Sequence, residues 1–216
     1  MALVFSDTFT DTNGTNLDAH TPDTGTGWTE EERTGVRSLE CFGNNCEAEA
    51  GELNDRATYS AQPDPTVADY DVEFDYKTVS IGAEAPYHLF ARLTDLSNFY
   101  LATFYGSDAT DDYKLNKKVA ASFTELASLN ETISDGDTLK LEIKDANKKV
   151  FNGVTEKLTS TDNALTSAGK AGISHGNTLV STDDLDTTPE ADNFKVTEQA
   201  VAAATRRYSL TTLGVG

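Results

Sequence analysis

Cysteine and histidine are scarce in this chain: 216 residues contain two Cys and three His. One CxxxxC pair, Cys41 and Cys46, with the separated His20, His88 and His175, does not supply the four ligands of a zinc site. Positive charge is scarce too. The 17 Lys and Arg stand against 36 Asp and Glu, a formal net charge of −19. That imbalance excludes nucleic acid as a partner, because a polyanion is repelled over most of such a surface. No apolar run approaches the roughly 18–20 residues needed to cross a bilayer, so no membrane partner is expected. The opening MALVFSDTFT has no basic region and only a short apolar stretch, and does not read as a secretion signal. Also missing are a Gly-x-Ser-x-Gly elbow, a phosphate-binding loop and a metalloprotease helix.

What the sequence does have is 38% hydrophobic residues, with 10 Phe and 8 Tyr, enough to build a core. Those residues recur in short segments of alternating polarity. In Asp71-Val72-Glu73-Phe74-Asp75-Tyr76-Lys77 the charges take one face and Val, Phe and Tyr the other, as in a half-buried strand. Further strands are expected at 4–9, 56–60, 88–93, 99–105, 113–119, 122–127, 138–144 and 191–196. Asn13-Gly14, Gly25-Thr26-Gly27, Pro63-Asp64-Pro65, Asp135-Gly136 and Asn152-Gly153 supply turns between them. Many short strands without a helical period indicate an all-β protein, an antiparallel two-sheet sandwich or jelly roll. Residues 13–29 read as a polar surface loop carrying one large apolar side chain, Trp28.

CFGNNC places Cys41 and Cys46 opposite each other across a tight turn, so either a disulfide or two reduced thiols is compatible with the spacing. From residue 198 the character changes. An Ala-rich run leads to Arg206-Arg207, the one adjacent Arg pair in a very acidic chain, so 198–216 is read as a C-terminal arm on a 1–197 body. A cationic arm suits docking onto an acidic neighbour.

Several segments carry a resemblance. FSDTFTDTNGTNLDAHTPDTGTGW, HLFARLTDLSNFYLATFYG, KLNKKVAASFTELAS, DTLKLEIKDANKKVFNGV with GKAGISHG, and EADNFKV occur in the order of concanavalin A-like lectin/glucanase domains. The chain resembles that superfamily over roughly residues 4–197. The resemblance implies two stacked antiparallel sheets in a jelly roll, with a concave face that serves carbohydrate binding in many members. The ending ATRRYSLTTLGVG resembles terminal segments of phage virion proteins. The reading drawn from these two resemblances is a non-enzymatic, self-associating virion module, a bacteriophage capsid-decoration or tail-associated protein docked on capsid or tail proteins through the arm. Its alternative is a carbohydrate-binding module or adhesin domain at a bacterial surface or outside the cell.

Glycanases of the superfamily use an E-x-D-x-E strand, whereas this chain has Glu73-Phe74-Asp75-Tyr76-Lys77. Lysine cannot replace an acid in a pair that must sit roughly 5–5.5 Å apart across the scissile bond, so no catalytic residues are expected. For glycan binding, strand parity groups Asp75, His88, Arg92 and Tyr100 into one groove; the competing reading pairs Arg92 with a neighbouring acid and uses Tyr100 as cover. Trp28 is read as packing in preference to a sugar platform. The resemblance also implies a structural Ca²⁺ held by Asp192 of the closing strand with Asp7 nearby, hard oxygen ligands of the kind this ion takes.

Overall fold

A computed structural model describes residues 1–35, 38–48, 55–77, 86–105, 112–176 and 190–200. The first strands are β1 (Ala2–Asp7), β2 (Thr15–Asn16), β3 (Gly27–Thr34), β4 (Leu39–Phe42), β5 (Asn45–Ala48) and β6 (Arg56–Gln62). There follow β7 (Tyr70–Lys77), β8 (Tyr87–Asp95), β9 (Asn98–Phe104), β10 (Tyr113–Val119) and β11 (Ser122–Leu129). The chain continues through β12 (Thr138–Lys144), β13 (Asn147–Asn152), β14 (Thr155–Thr161), β15 (Lys170–Gly176) and β16 (Glu190–Glu198). All pairings are antiparallel, and they form two sheets. One runs β14-β13-β12-β7-β16-β5-β4-β2, with β1 added to β16; the other runs β11-β10-β9-β8-β15-β6-β3. This is the two-sheet jelly-roll sandwich expected.

The alternating pattern builds the nine-stranded sheet. In β7, Tyr70, Val72, Phe74 and Tyr76 are buried, and Val72 and Phe74 lie opposite Leu141 and Leu139 of β12. Phe74 meets Tyr87 and Phe104 of the other sheet at ring-centroid distances of 5.7 and 5.8 Å, so these rings join the two layers. Fully burying one such side chain contributes about 1.5–3 kcal/mol. Trp28 closes the first segment of the core, with Phe5, Phe194 and Phe9 at 4.8, 4.9 and 6.0 Å. It packs, as its sequence context suggested.

The seven-stranded sheet departs from alternation. β8 is buried at seven consecutive positions and β9 at six, Phe99 to Phe104. Leu89, Ala91, Tyr100 and Ala102 belong to the main core, while Phe90, Phe99 and Leu101, of opposite parity, form a second apolar cluster with Leu93, which follows the backbone break at Arg92. The outer face of this sheet is therefore apolar at its centre, where a solvated antiparallel sheet is normally polar.

The segment 13–29 is more structured than a surface loop: it contains β2, a 3-10 turn at Leu17–Ala19 and the start of β3. The last strand reaches Glu198, and Gln199 bonds back to Asp69 and Asp71 at 3.0 and 2.8 Å. The first residues assigned to the arm thus belong to the sandwich. Arg206 and Arg207 lie outside the described residues.

Candidate functional site

The four residues grouped by strand parity do not share a surface. Asp75 lies in the nine-stranded sheet, taking hydrogen bonds from Thr138 Oγ1 at 2.6 Å and Asn193 Nδ2 at 2.9 Å. His88, Arg92 and Tyr100 belong to the seven-stranded sheet. Tyr100 points inward, its hydroxyl donating to Asp162 Oδ1 at 2.6 Å. Arg92 is 1% exposed, and its guanidinium donates to Ala68 O, Leu165 O and Asp69 at 2.9, 2.5 and 3.2 Å. Two physical causes separate them. β7 and β8 are consecutive in sequence but belong to opposite sheets, and Arg92 adopts φ +52° at a register shift that breaks the parity of β8. Glu73 faces Lys195 at 3.8 Å, a charged pair on the outer face of its sheet.

His88 does lie on the outer face of the seven-stranded sheet, but it is fully buried. Gly176 O can only accept, so the 3.0 Å contact assigns the proton to Nε2, and Nδ1 then accepts from Thr103 Oγ1, also at 3.0 Å. Burial lowers its pKa to about 4, against the opposing carbonyl bond, so the ring is neutral.

The Asp7–Asp192 calcium reading does not fit the geometry. Asp7 is 1% exposed and accepts from Trp28 Nε1 at 2.6 Å, Phe9 N at 2.7 Å and His20 Nε2 at 2.9 Å. His20 Nδ1 lies 2.9 Å from Asp11 Oδ2, so the imidazole sits between two carboxylates with both nitrogens placed to donate. Burial opposes its charge, but the bonds to Asp11 and Asp7 outweigh burial and raise its pKa. A histidinium and two further N–H donors occupy the oxygens a cation would need. Asp192 turns to Asn193, accepting from its N at 2.7 Å and Nδ2 at 3.1 Å. Among the described residues no group of three or more His, Cys, Asp or Glu is placed to hold a metal ion. Cys41 and Cys46 are both buried and directly paired across β4 and β5, as free thiols in this structure.

The arrangement with binding chemistry is the outer face of the seven-stranded sheet. Cross-strand register sets one row as Thr103–His88–Ser174–Thr58–Glu32 and the next as Asn116–Leu101–Phe90–Gly172–Ser60. Gly172 matters here: a Cβ at that position would stand 2.4 Å from Phe90 Cζ and 2.1 Å from Tyr59 O. Phe90 therefore lies across β15 only because glycine leaves room. Beside it a shallow cleft is floored by Phe90, Leu93, Phe99 and Leu101. One wall is Lys118 and Phe123: the ammonium is 5.5 and 4.9 Å from the Phe99 and Phe123 ring centres, and the rings meet edge-on at 6.0 Å. The opposite wall is Arg56, ion-paired with Glu32, together with Thr58 and Ser174.

Two donors at this face find no hydrogen-bond partner among the described residues: Arg56 Nε in the wall, and Asn116 Nδ2 next to Leu101. Asn116 is 5% exposed. Leaving such a donor buried and unmade costs about 1–3 kcal/mol. An apolar floor with a few convergent polar groups is the usual make-up of a small-molecule site. A second opening, at the end of the sandwich, is floored by Arg92, whose donors are already bonded. The sequence signal for the outer cluster is visible in retrospect. HLFARL and FYLATF are apolar at both parities, where a one-sided sheet alternates.

No protein-family model matches this sequence, and no curated protein does. Solved structures do match. The carbohydrate-binding module CBM66 from Bacillus subtilis superposes with a TM-score of 0.60 at 17% identity, over 81% of this chain and 97% of that one. Domain 4 of AbnA, an extracellular arabinanase from Geobacillus stearothermophilus, in complex with arabinotriose, gives 0.55 at 14% identity over 93% and 94%. The exoplasmic/lumenal domain of VIP36, in its form with Ca²⁺ and Man2, gives 0.59 at 14% identity over 94% and 92%. At these identities the likeness establishes the fold: this chain has the lectin-like jelly-roll sandwich of these domains.

Proposed function

We propose that this chain is a non-catalytic carbohydrate-binding domain whose ligand lies on the outer face of the seven-stranded sheet, in the cleft between Phe123 and Arg56. The observation that carries the reading is the cleft itself: four outward apolar side chains beside Arg56, whose Nε is unsatisfied, with a second unsatisfied donor, Asn116 Nδ2, on the neighbouring strand next to Leu101. Sugars offer this combination of demands. Their C–H faces pack on Phe rings, and their hydroxyl and ring oxygens accept from buried N–H groups. Glu32 holds Arg56, and the chain carries −19 overall, which opposes an anionic ligand, so the ligand class is a neutral saccharide. The structural neighbours support binding over catalysis, since those named above are a carbohydrate-binding module, an arabinotriose-bound domain of an arabinanase and a Man2-bound exoplasmic/lumenal domain. They also favour an extracellular or surface setting. The virion reading draws on the jelly roll and on the C-terminal segment, of which 201–216 lie outside the described residues, and no structural neighbour named above speaks for it.

The test is titration calorimetry of the intact chain with neutral arabino- and manno-oligosaccharides, then with Phe123→Ala and Asn116→Leu. Phe123 is 36% exposed, so its removal leaves the fold intact. Loss of one ring contact worth about 0.5–1.5 kcal/mol weakens binding roughly 2- to 12-fold. Binding that is indifferent to both substitutions would remove the cleft from the function.

A further inference from the structure

We infer that Cys41 and Cys46 are built to close a cross-strand disulfide, a modification independent of the carbohydrate reading. Phe42 and Asn45 close the hairpin through Gly43 and Asn44, at φ +61° and +65°. Two consecutive left-handed residues define the tight hairpin turn that matches strand twist. In such a hairpin the pair next to the closing pair exchanges no backbone hydrogen bonds. The structure agrees: Cys41 O accepts from Gly14 N at 2.9 Å, on the side of β4 away from β5, and Cys46 O accepts from Tyr87 Oη at 2.8 Å. Pairs of this kind bring Cα atoms to about 4.5 Å, inside the range of about 4.4–6.8 Å found for disulfides. Both side chains project from the same face of the hairpin into the core, each with no exposure.

The chemistry requires a disulfide oxidant such as glutathione disulfide. One cysteine thiolate attacks it, forming a mixed disulfide and releasing one glutathione thiolate. The second cysteine thiolate then attacks the cysteine sulfur of that mixed disulfide, releasing the other glutathione. Two protein thiols lose two protons and two electrons, and the oxidant becomes two thiols. Burial raises the pKa of Cys41 to about 12, and burial also pushes the Cys46 thiol well above its ordinary value, so the folded thiols are poor nucleophiles. Closure therefore belongs to folding, before β4 and β5 are covered. The closed bond is then shielded from reductant by the same burial, and ties down the hairpin through which β2 and β4 join the nine-stranded sheet.

The experiment refolds the full chain with a reduced/oxidised glutathione mixture, denatures it, and counts thiols by iodoacetamide labelling and mass. The inference expects a monomer with no labelled cysteine, two labelled after dithiothreitol, and a melting temperature higher by roughly 4–8 °C in the oxidised form. The double variant Cys41→Ser, Cys46→Ser loses that redox dependence and keeps the melting temperature of the reduced form. Two free thiols after oxidative refolding, a stable glutathione adduct or a disulfide-linked dimer would each overturn it.

Discussion

Asp7 holds the first segment of the sandwich together, and Asp7→Asn isolates its contribution without changing its size. The carboxylate receives Trp28 Nε1 on one oxygen, and Phe9 N and His20 Nε2 on the other. An amide has one oxygen. Placed toward His20, it turns its NH₂ against the indole N–H; placed toward Trp28, it turns the NH₂ against two N–H groups. Either orientation sets donor against donor at 1% exposure and leaves the His20 imidazolium with Asp11 alone. Breaking one partner of a buried ion pair costs about 3–5 kcal/mol. In a chain of this length each kcal/mol lowers the melting temperature by about 2–4 °C, so the variant melts roughly 6–20 °C lower.

The pH dependence separates the ion pair from packing. His20 has a raised folded pKa, so its contribution is fully present below the unfolded value of 6.5 and is lost as pH rises through the folded value. The gap between wild type and variant is therefore widest at mildly acidic pH and narrows in alkaline buffer, where the clash with the Trp28 and Phe9 donors remains. Differential scanning calorimetry across pH measures the gap, and Trp28, the one tryptophan, reports the cluster by fluorescence. A melting temperature within about 2 °C of wild type at pH 6, corresponding to under about 1 kcal/mol, would refute the reasoning.

His88 has the opposite sign. Its folded pKa of about 4 lies below 6.5, so its stability contribution is present above pH 6.5 and drains away as pH falls toward 4, by about 3 kcal/mol in total. Urea titrations should show His88→Gln losing correspondingly less stability across that window, and parallel curves would contradict the burial argument. Gly172→Ala forces Phe90 off β15, since its Cβ would meet that ring and Tyr59 O. The expected outcome is a lower melting temperature together with weaker saccharide binding, and unchanged binding would separate Phe90 from the site. Tyr100→Phe removes the bond to Asp162, which also pairs with Lys117, at a cost of about 1.5–3 kcal/mol; saccharide affinity stays at the wild-type value because Tyr100 faces the core.

The sandwich was legible because its nine-stranded sheet follows a two-residue period. YDVEFDYK in β7 and TLKLEIK in β12 each display their buried face in the sequence itself. Strand neighbours were not legible. Adjacent segments β7 and β8 pair in different sheets, and no local pattern encodes that choice. Parity then misled where the backbone broke it: the left-handed residue at Arg92 drew into the interior a guanidinium that alternation had assigned to a groove. The resemblance implies a cation at Asp7 and Asp192, whereas the N–H donors that surround each carboxylate decide what those oxygens bind. The outer cleft depends on Asn116 in a lysine-rich strand and on Arg56, Phe90 and Phe123 from three others. Only tertiary register brings these together.

The most direct test of the proposed ligand face is an NMR titration with a bound neutral oligosaccharide, observing the side-chain amide of Asn116, the Arg56 Nε–H and the Trp28 Nε1–H in one experiment. Saturable shifts at Asn116 and Arg56, with Trp28 unmoved in its bond to Asp7, are the expected result. Shifts at residues of the nine-stranded sheet with Asn116 and Arg56 silent would contradict it.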